Sequence, residues 1–205
     1  MKGRKTAAEL MAELNVDNEY LEMRRARDIA HENSIVAHAK ESAPVVAALN
    51  LAGVEVNAIW ELSEDGRFDE KAVPVLIEQL THDYSDSVRE EMLRGLATPY
   101  ARAHWDQLVE IFEKNSLHLS PKIRYVAALA LSGAADDTVL DDVIRLLGDK
   151  SLGMDRAPLL LALIRSKSSK AKMTLLELRD DPDLGKQIKT FRRIERHQKA
   201  ISASK

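Results

Sequence analysis

The chain contains no cysteine, which excludes disulfides, thiolate nucleophiles and Cys-ligated zinc. Aromatic residues make up only 4%, so a core must be assembled mainly from Leu, Val, Ile and Ala, residues that suit closely stacked helices. No stretch approaches the ~20 apolar residues of a membrane-spanning helix, and the strongest apolar run, Ala157 to Ile164, is far too short. The basic start Met1-Lys2-Gly3-Arg4-Lys5 is not followed by the apolar segment that a secretory signal requires. These absences point to a cytoplasmic protein without a membrane span. A Gly-rich phosphate loop, a nucleophile elbow and a His-Glu-x-x-His helix are also missing. The expectation is therefore no catalytic residue, no cofactor and no metal.

Negative charge is unevenly spread under the net value of −3. Residues 1–5 contribute +3, and residues 186–205 carry seven basic groups against Glu195, or +6. Residues 121–185 balance at ten of each sign, which leaves −12 on residues 6–120. A field of that sign repels nucleic acid and attracts basic partners.

Thr6-Ala7-Ala8-Glu9 has the capping-box pattern, and a short helix is expected to about Leu14. A long charged helix follows from about Asn18, with Leu21, Ile29, Val36 and Ala39 as a thin apolar stripe. Ser42-Ala43-Pro44 reads as a restart, Gly53 as a helix stop, and Val56 to Leu62 as a short helix closed by Asp65-Gly66.

From about Asp69, helix-sized blocks recur. Leu76, Leu108, Val143 and Leu175 mark successive blocks at spacings of 32, 35 and 32 residues. Between them lie second helices opened by Val88-Arg89, Ile123-Arg124 and Asp155-Arg156, the arginines standing 35 and 32 residues apart. Two-helix units of that length cannot bury their apolar faces alone, so stacked copies must cover one another. Strand-type alternation is absent.

These residues resemble HEAT repeats. The best copy is Ala72-Val73-Pro74-Val75-Leu76-Ile77 through Leu80, then Asp83, then Ser87-Val88-Arg89-Glu90 with Leu93, Leu96 and Ala97. The second copy matches at Ile123-Arg124 and Ala128-Leu129-Ala130, the third keeps Asp149 and Arg156 but has Pro158, and the fourth keeps Asp181. The resemblance covers about residues 69–185. It implies an all-α fold, an α-solenoid of about four HEAT-like helical hairpins preceded by an N-terminal helical segment. The expected organisation is 1–65 for that segment, 66–198 for the repeats and 199–205 for a disordered tail.

Arg89, Arg124 and Arg156 are expected to form a ladder, each bridging to an Asp of the next repeat. The competing reading places them on a concave face, clamping an anionic ligand. Trp105 beside Asp106 suggests a second function, because alkylpurine DNA glycosylases resemble this architecture. Their groove is basic, however, and the surrounding sequence is neutral to acidic. Trp105 is read instead as an anchor between helices. His31 and His38, near Asp28 and Glu41, share a helix face that is read as solvated rather than as a metal site. Asp136-Asp137 and Asp141-Asp142 are assigned to helix capping. The basic tail with Lys189, Arg192, Arg193 and Arg196 is read as a terminal capping helix, with a contact to an anionic partner as its alternative.

The function expected from these features is a non-enzymatic protein-protein interaction module with a basic protein partner. An acidic immunity or inhibitor protein masking a cationic toxin is one concrete version. The alternatives are a HEAT-like DNA-binding protein or glycosylase and, with little aromatic support, a lyase-associated protein that handles a chromophore. A homo-oligomer is left open.

Overall fold

A computed structural model describes residues 6–8, 11, 17–66, 68–114 and 120–191. The described residues contain helices and no strand, so the fold is all-α. Contacts group the chain into two compact units, Met1–Ser42 and Ala43–Lys205. The sequence reading sets a boundary at residue 65. Here residues 43–65 belong with the second unit, because Val45, Leu49, Val54, Ile59 and Leu62 join its core.

Helix α1 spans Asn18–Leu51. Asp17 opens it, its carboxylate accepting the Tyr20 amide at 3.1 Å. The expected restart at Ser42-Ala43-Pro44 does not occur, since Pro44 lies inside the helix. Proline removes one helical hydrogen bond at that point. The helix is held beyond it by Val45 and Leu49, one turn apart and fully buried. Within the first unit, none of residues 18–41 is buried.

The end of α1 is a Schellman motif. Val54 donates to the Leu49 carbonyl at 3.0 Å and Gly53 to Asn50 at 3.0 Å. Gly53 has a φ of 80°, a conformation that costs a side chain with Cβ about 1 kcal/mol or more. Asn50 then holds the exit, its amide donating to Val46 and Val56 carbonyls at 2.9 Å each. The expected helix at Val56 to Leu62 is a 3-10 segment at Ile59–Gly66.

The rest of the second unit is a succession of short helices. They are α2 (Ala72–Gln79), α3 (Asp86–Gly95), α4 (Trp105–Lys114), α5 (Pro121–Ala134), α6 (Leu140–Gly148), α7 (Leu160–Arg165), α8 (Ser169–Glu177) and α9 (185–191). Three-ten segments at Pro99–His104 and Lys150–Leu159 lead into α4 and α7. The apolar spacing found in the sequence is the spacing that is buried. Val73, Leu76 and Ile77 of α2 face inward with Val88, Met92 and Leu93 of α3, followed by Val143, Leu146 and Leu147 of α6. Burying each such side chain is worth roughly 1.5–3 kcal/mol.

Helix α3 lies against Ile59–Gly66 and against α5, and α5 lies against α4 and the Lys150–Leu159 segment. The closest approach is at Gly133 of α5, where a Cβ would fall 2.3 Å from the Ala97 carbonyl carbon. Only glycine permits that separation.

Candidate functional site

Arginines connect the helices by reaching carbonyl groups left open at helix ends. Arg102 Nε donates to the Ala134 carbonyl at 3.1 Å, while its other arm pairs with Asp136. Arg165 donates to the Ser132 carbonyl. Both carbonyls lie in the last turn of α5, the negative end of its dipole. At the end of α6, the Leu147 carbonyl accepts from Arg156.

Arg156 is completely buried. Its Nε donates to the Gly153 carbonyl at 2.9 Å and its remaining arm meets Asp181 at 3.0 Å and Asp183 at 3.3 Å. Burial by itself raises the Asp181 pKa, but the amides of Leu184 and Asp183, together with Arg156, outweigh it and hold the carboxyl below its ordinary value.

The three arginines singled out in the sequence occupy different situations. Arg124 meets Asp155, 31 residues on, at 3.2 Å. Burial raises the Asp155 pKa against the pull of Arg124. Arg156 reaches Asp181, 25 residues on. Arg89 instead pairs with Asp83, six residues back, at 3.3 Å. Helix α3 is linked to α5 by Glu90, which accepts Lys122 at 2.6 Å and Arg94 at 2.8 Å. Lys122 first, with Arg94, lowers the Glu90 pKa against the opposing effect of burial.

Trp105 is 6% exposed and its Nε1 donates to Asp142 at 3.1 Å, tying α4 to α6. The adjacent Asp106 lines an open cleft of about 300 Å³ with Val109, Glu110, Glu113, Asp142 and Arg145. Asp106, Glu110 and Glu113 follow i, i+4, i+7 spacing, which puts all three on one side of α4. Glu113 accepts Arg145 at 2.5 Å, and Asp142 lies 3.6 Å from the same guanidinium. The Glu113 bond first, then the attraction of both carboxylates, raises the Arg145 pKa despite partial burial. Two carboxylates thus hold one guanidinium at a cleft that Asp106 and Glu110 also line.

The sequence reading singles out Trp105 and Asp106, assigns Asp142 to helix capping, and misses Glu110, Glu113 and Arg145. The available signals were the shared helix face on α4 and the 32-residue separation of Glu113 from Arg145. Asp136 accepts the Thr138 hydroxyl first and its amide as well, which with Arg102 lowers its pKa. Lys189 is exposed, while Arg192, Arg193 and Arg196 lie outside the described residues. Among the described residues, no group of three or more His, Asp and Glu side chains is placed to hold a metal. No described helix is long and apolar enough to cross a membrane.

No family model, curated protein or solved structure matches the chain.

Proposed function

We propose that the second unit is a HEAT-like α-solenoid that acts in the cytoplasm as a non-enzymatic docking module for a basic protein. The repeat reading is supported by the regular reach of its cross-links. Glu90–Lys122 and Glu113–Arg145 span 32 residues, Arg165 reaches Ser132 across 33, and Lys170 reaches Asp141 across 29. Such separations suit two-helix units that contact only their neighbours.

The observation that carries the functional reading is the cleft beside Trp105. Asp106, Glu110, Glu113 and Asp142 line it together with Val109 and Arg145, four carboxylates and one guanidinium. A groove with this excess raises the local concentration of cations and suits lysine or arginine side chains of a partner. A cationic toxin held by an immunity or inhibitor protein fits this chemistry.

A glycosylase would need an accessible aromatic surface for a base and cations for the phosphates. Trp105 is buried against α6 and three further carboxylates line the cleft with Asp106 against one arginine, so these features favour a protein partner over DNA. Measuring partner affinity against ionic strength tests the proposal. Affinity falling steeply with salt supports it, and affinity independent of salt removes its electrostatic basis.

A further inference from the structure

The first unit carries a surface of its own. Residues 18–41 of α1 include no buried residue, and Met23, Ile29 and Val36 are 61%, 59% and 65% exposed. At 100° per residue, Met23, Ala26, Ile29, Ala30, Asn33, Val36 and Ala37 fall within one arc of about 140°. Between residues 23 and 37 the arc contains one polar residue, Asn33, and no charge. Arg24, Arg25, Arg27, Asp28, His31 and Glu32 all fall outside it, as do Leu21 and Ile35. A helix of this kind gains most of its stability from a packed apolar face.

The two ends of the stripe differ in charge, with Glu19 and Glu22 on the arc at one end and Lys40 with Glu41 on it at the other. Glu22 lies on the same arc one turn before Ala26, and Lys40 lies on it one turn after Val36. Running two copies antiparallel sets Glu22 of each beside Lys40 of the other, with Ala26 opposite Val36 and Ile29 opposite Asn33. Running them parallel would set Glu22 against Glu22 and Lys40 against Lys40. Residues 18–42 carry four basic and five acidic groups, so two copies meet with little net repulsion.

We propose that α1 pairs antiparallel with α1 of a second copy of this chain, through the stripe from Met23 to Ala37 and closed at both ends by Glu22–Lys40 contacts. The alanines allow close approach of the two axes. A seam from residue 22 to 40 is about 28 Å long. One helix-wide strip of that length is at the low end of specific interfaces, which makes the dimer reversible. This inference is independent of the acidic cleft.

Sedimentation of the full chain over roughly a hundredfold concentration range is the first test. Monomer giving way to dimer is expected. A chain that stays monomeric, or one that forms a higher oligomer, overturns the proposal. Ile29→Lys should remove the dimer, and an unchanged dimer would place the interface elsewhere and sink the proposal. Its target is exposed, so folding should be unaffected, with an unchanged melting temperature as control.

Orientation is read with single cysteines, each unique in this cysteine-free chain. Ala30→Cys sits near the two-fold axis and should cross-link on oxidation, whereas Met23→Cys, level with residue 39 of the second copy and about 24 Å along the axis from its own counterpart, should not. Cross-linking at both sites contradicts the antiparallel arrangement. Lys40→Glu should weaken the dimer by about tenfold, and Glu22→Lys in the same chain should restore it. Failure of that rescue removes the charge argument.

Discussion

Arg156 and Asp181 stand 25 residues apart in sequence, and their side chains meet at 3.0 Å with only 1% and 5% of their surfaces exposed. Arg156 also holds the carbonyls of Leu147 and Gly153, so one guanidinium joins the end of α6, the bend before α7 and the turn before α9. A buried charge with this many partners organises its surroundings, and losing one partner leaves the other exposed to the full cost of burial.

Asp181→Ala should therefore destabilise the second unit by about 3–5 kcal/mol. Asp183→Ala should cost less, about 1 kcal/mol, because that carboxylate is 37% exposed and further from the guanidinium. Urea unfolding of the two variants checks the ranking, and equal losses would show that Asp183 shares the role.

Gly133→Ala places a methyl within 2.6 Å of three Ala97 backbone atoms, which cannot move aside as a flexible side chain would. The expected loss is about 1–3 kcal/mol. Gly148→Ala, with nothing within 4 Å of its Cβ, should be neutral or stabilise by up to about 1 kcal/mol. Thermal melts of the pair separate close packing from backbone entropy.

The two tryptophans make a third contrast. Trp105→Ala should cost about 3–5 kcal/mol, because it empties a buried site and releases Asp142. Trp60, 49% exposed, should lose under about 1 kcal/mol on the same change. Chemical denaturation midpoints give the comparison.

How much of this was legible in sequence differs by residue type. Apolar positions are readable, since Leu76, Leu108, Val143 and Leu175, which mark the recurring blocks, are all buried. Pro44 misled the reading, because local chemistry favours a break there while the burial of Val45 and Leu49 carries the helix through. Partners over long separations were harder. Arg89 and Arg124 occupy matching sequence positions, yet one turns back to Asp83 and the other reaches Asp155. The cleft needs α4 and α6 side by side, and of its charged lining the sequence marks only Asp106 and Asp142, the latter as a helix cap.

Acid should destabilise the second unit. The folded pKa values of Glu90, Asp136, Asp149 and Asp181 are all lowered, so they contribute stability above the unfolded carboxylate values of about 4. That contribution is lost as pH falls from there through the folded values. Asp155 is raised and acts in the opposite sense, losing its contribution as pH rises through its folded value. Four groups against one predict a net loss of stability below about pH 4, read from denaturant midpoints across the acid range.

The most direct test of the docking account reverses charge in the cleft. Immobilised wild-type chain and the D106K/E110K variant are each presented with extract of the native cell at low salt, and retained proteins are identified by mass spectrometry. The account predicts that the wild-type chain retains a cationic protein, released by salt, and that the variant retains at least about tenfold less of it. Equal retention by both chains, or a retained protein that salt does not release, would contradict it.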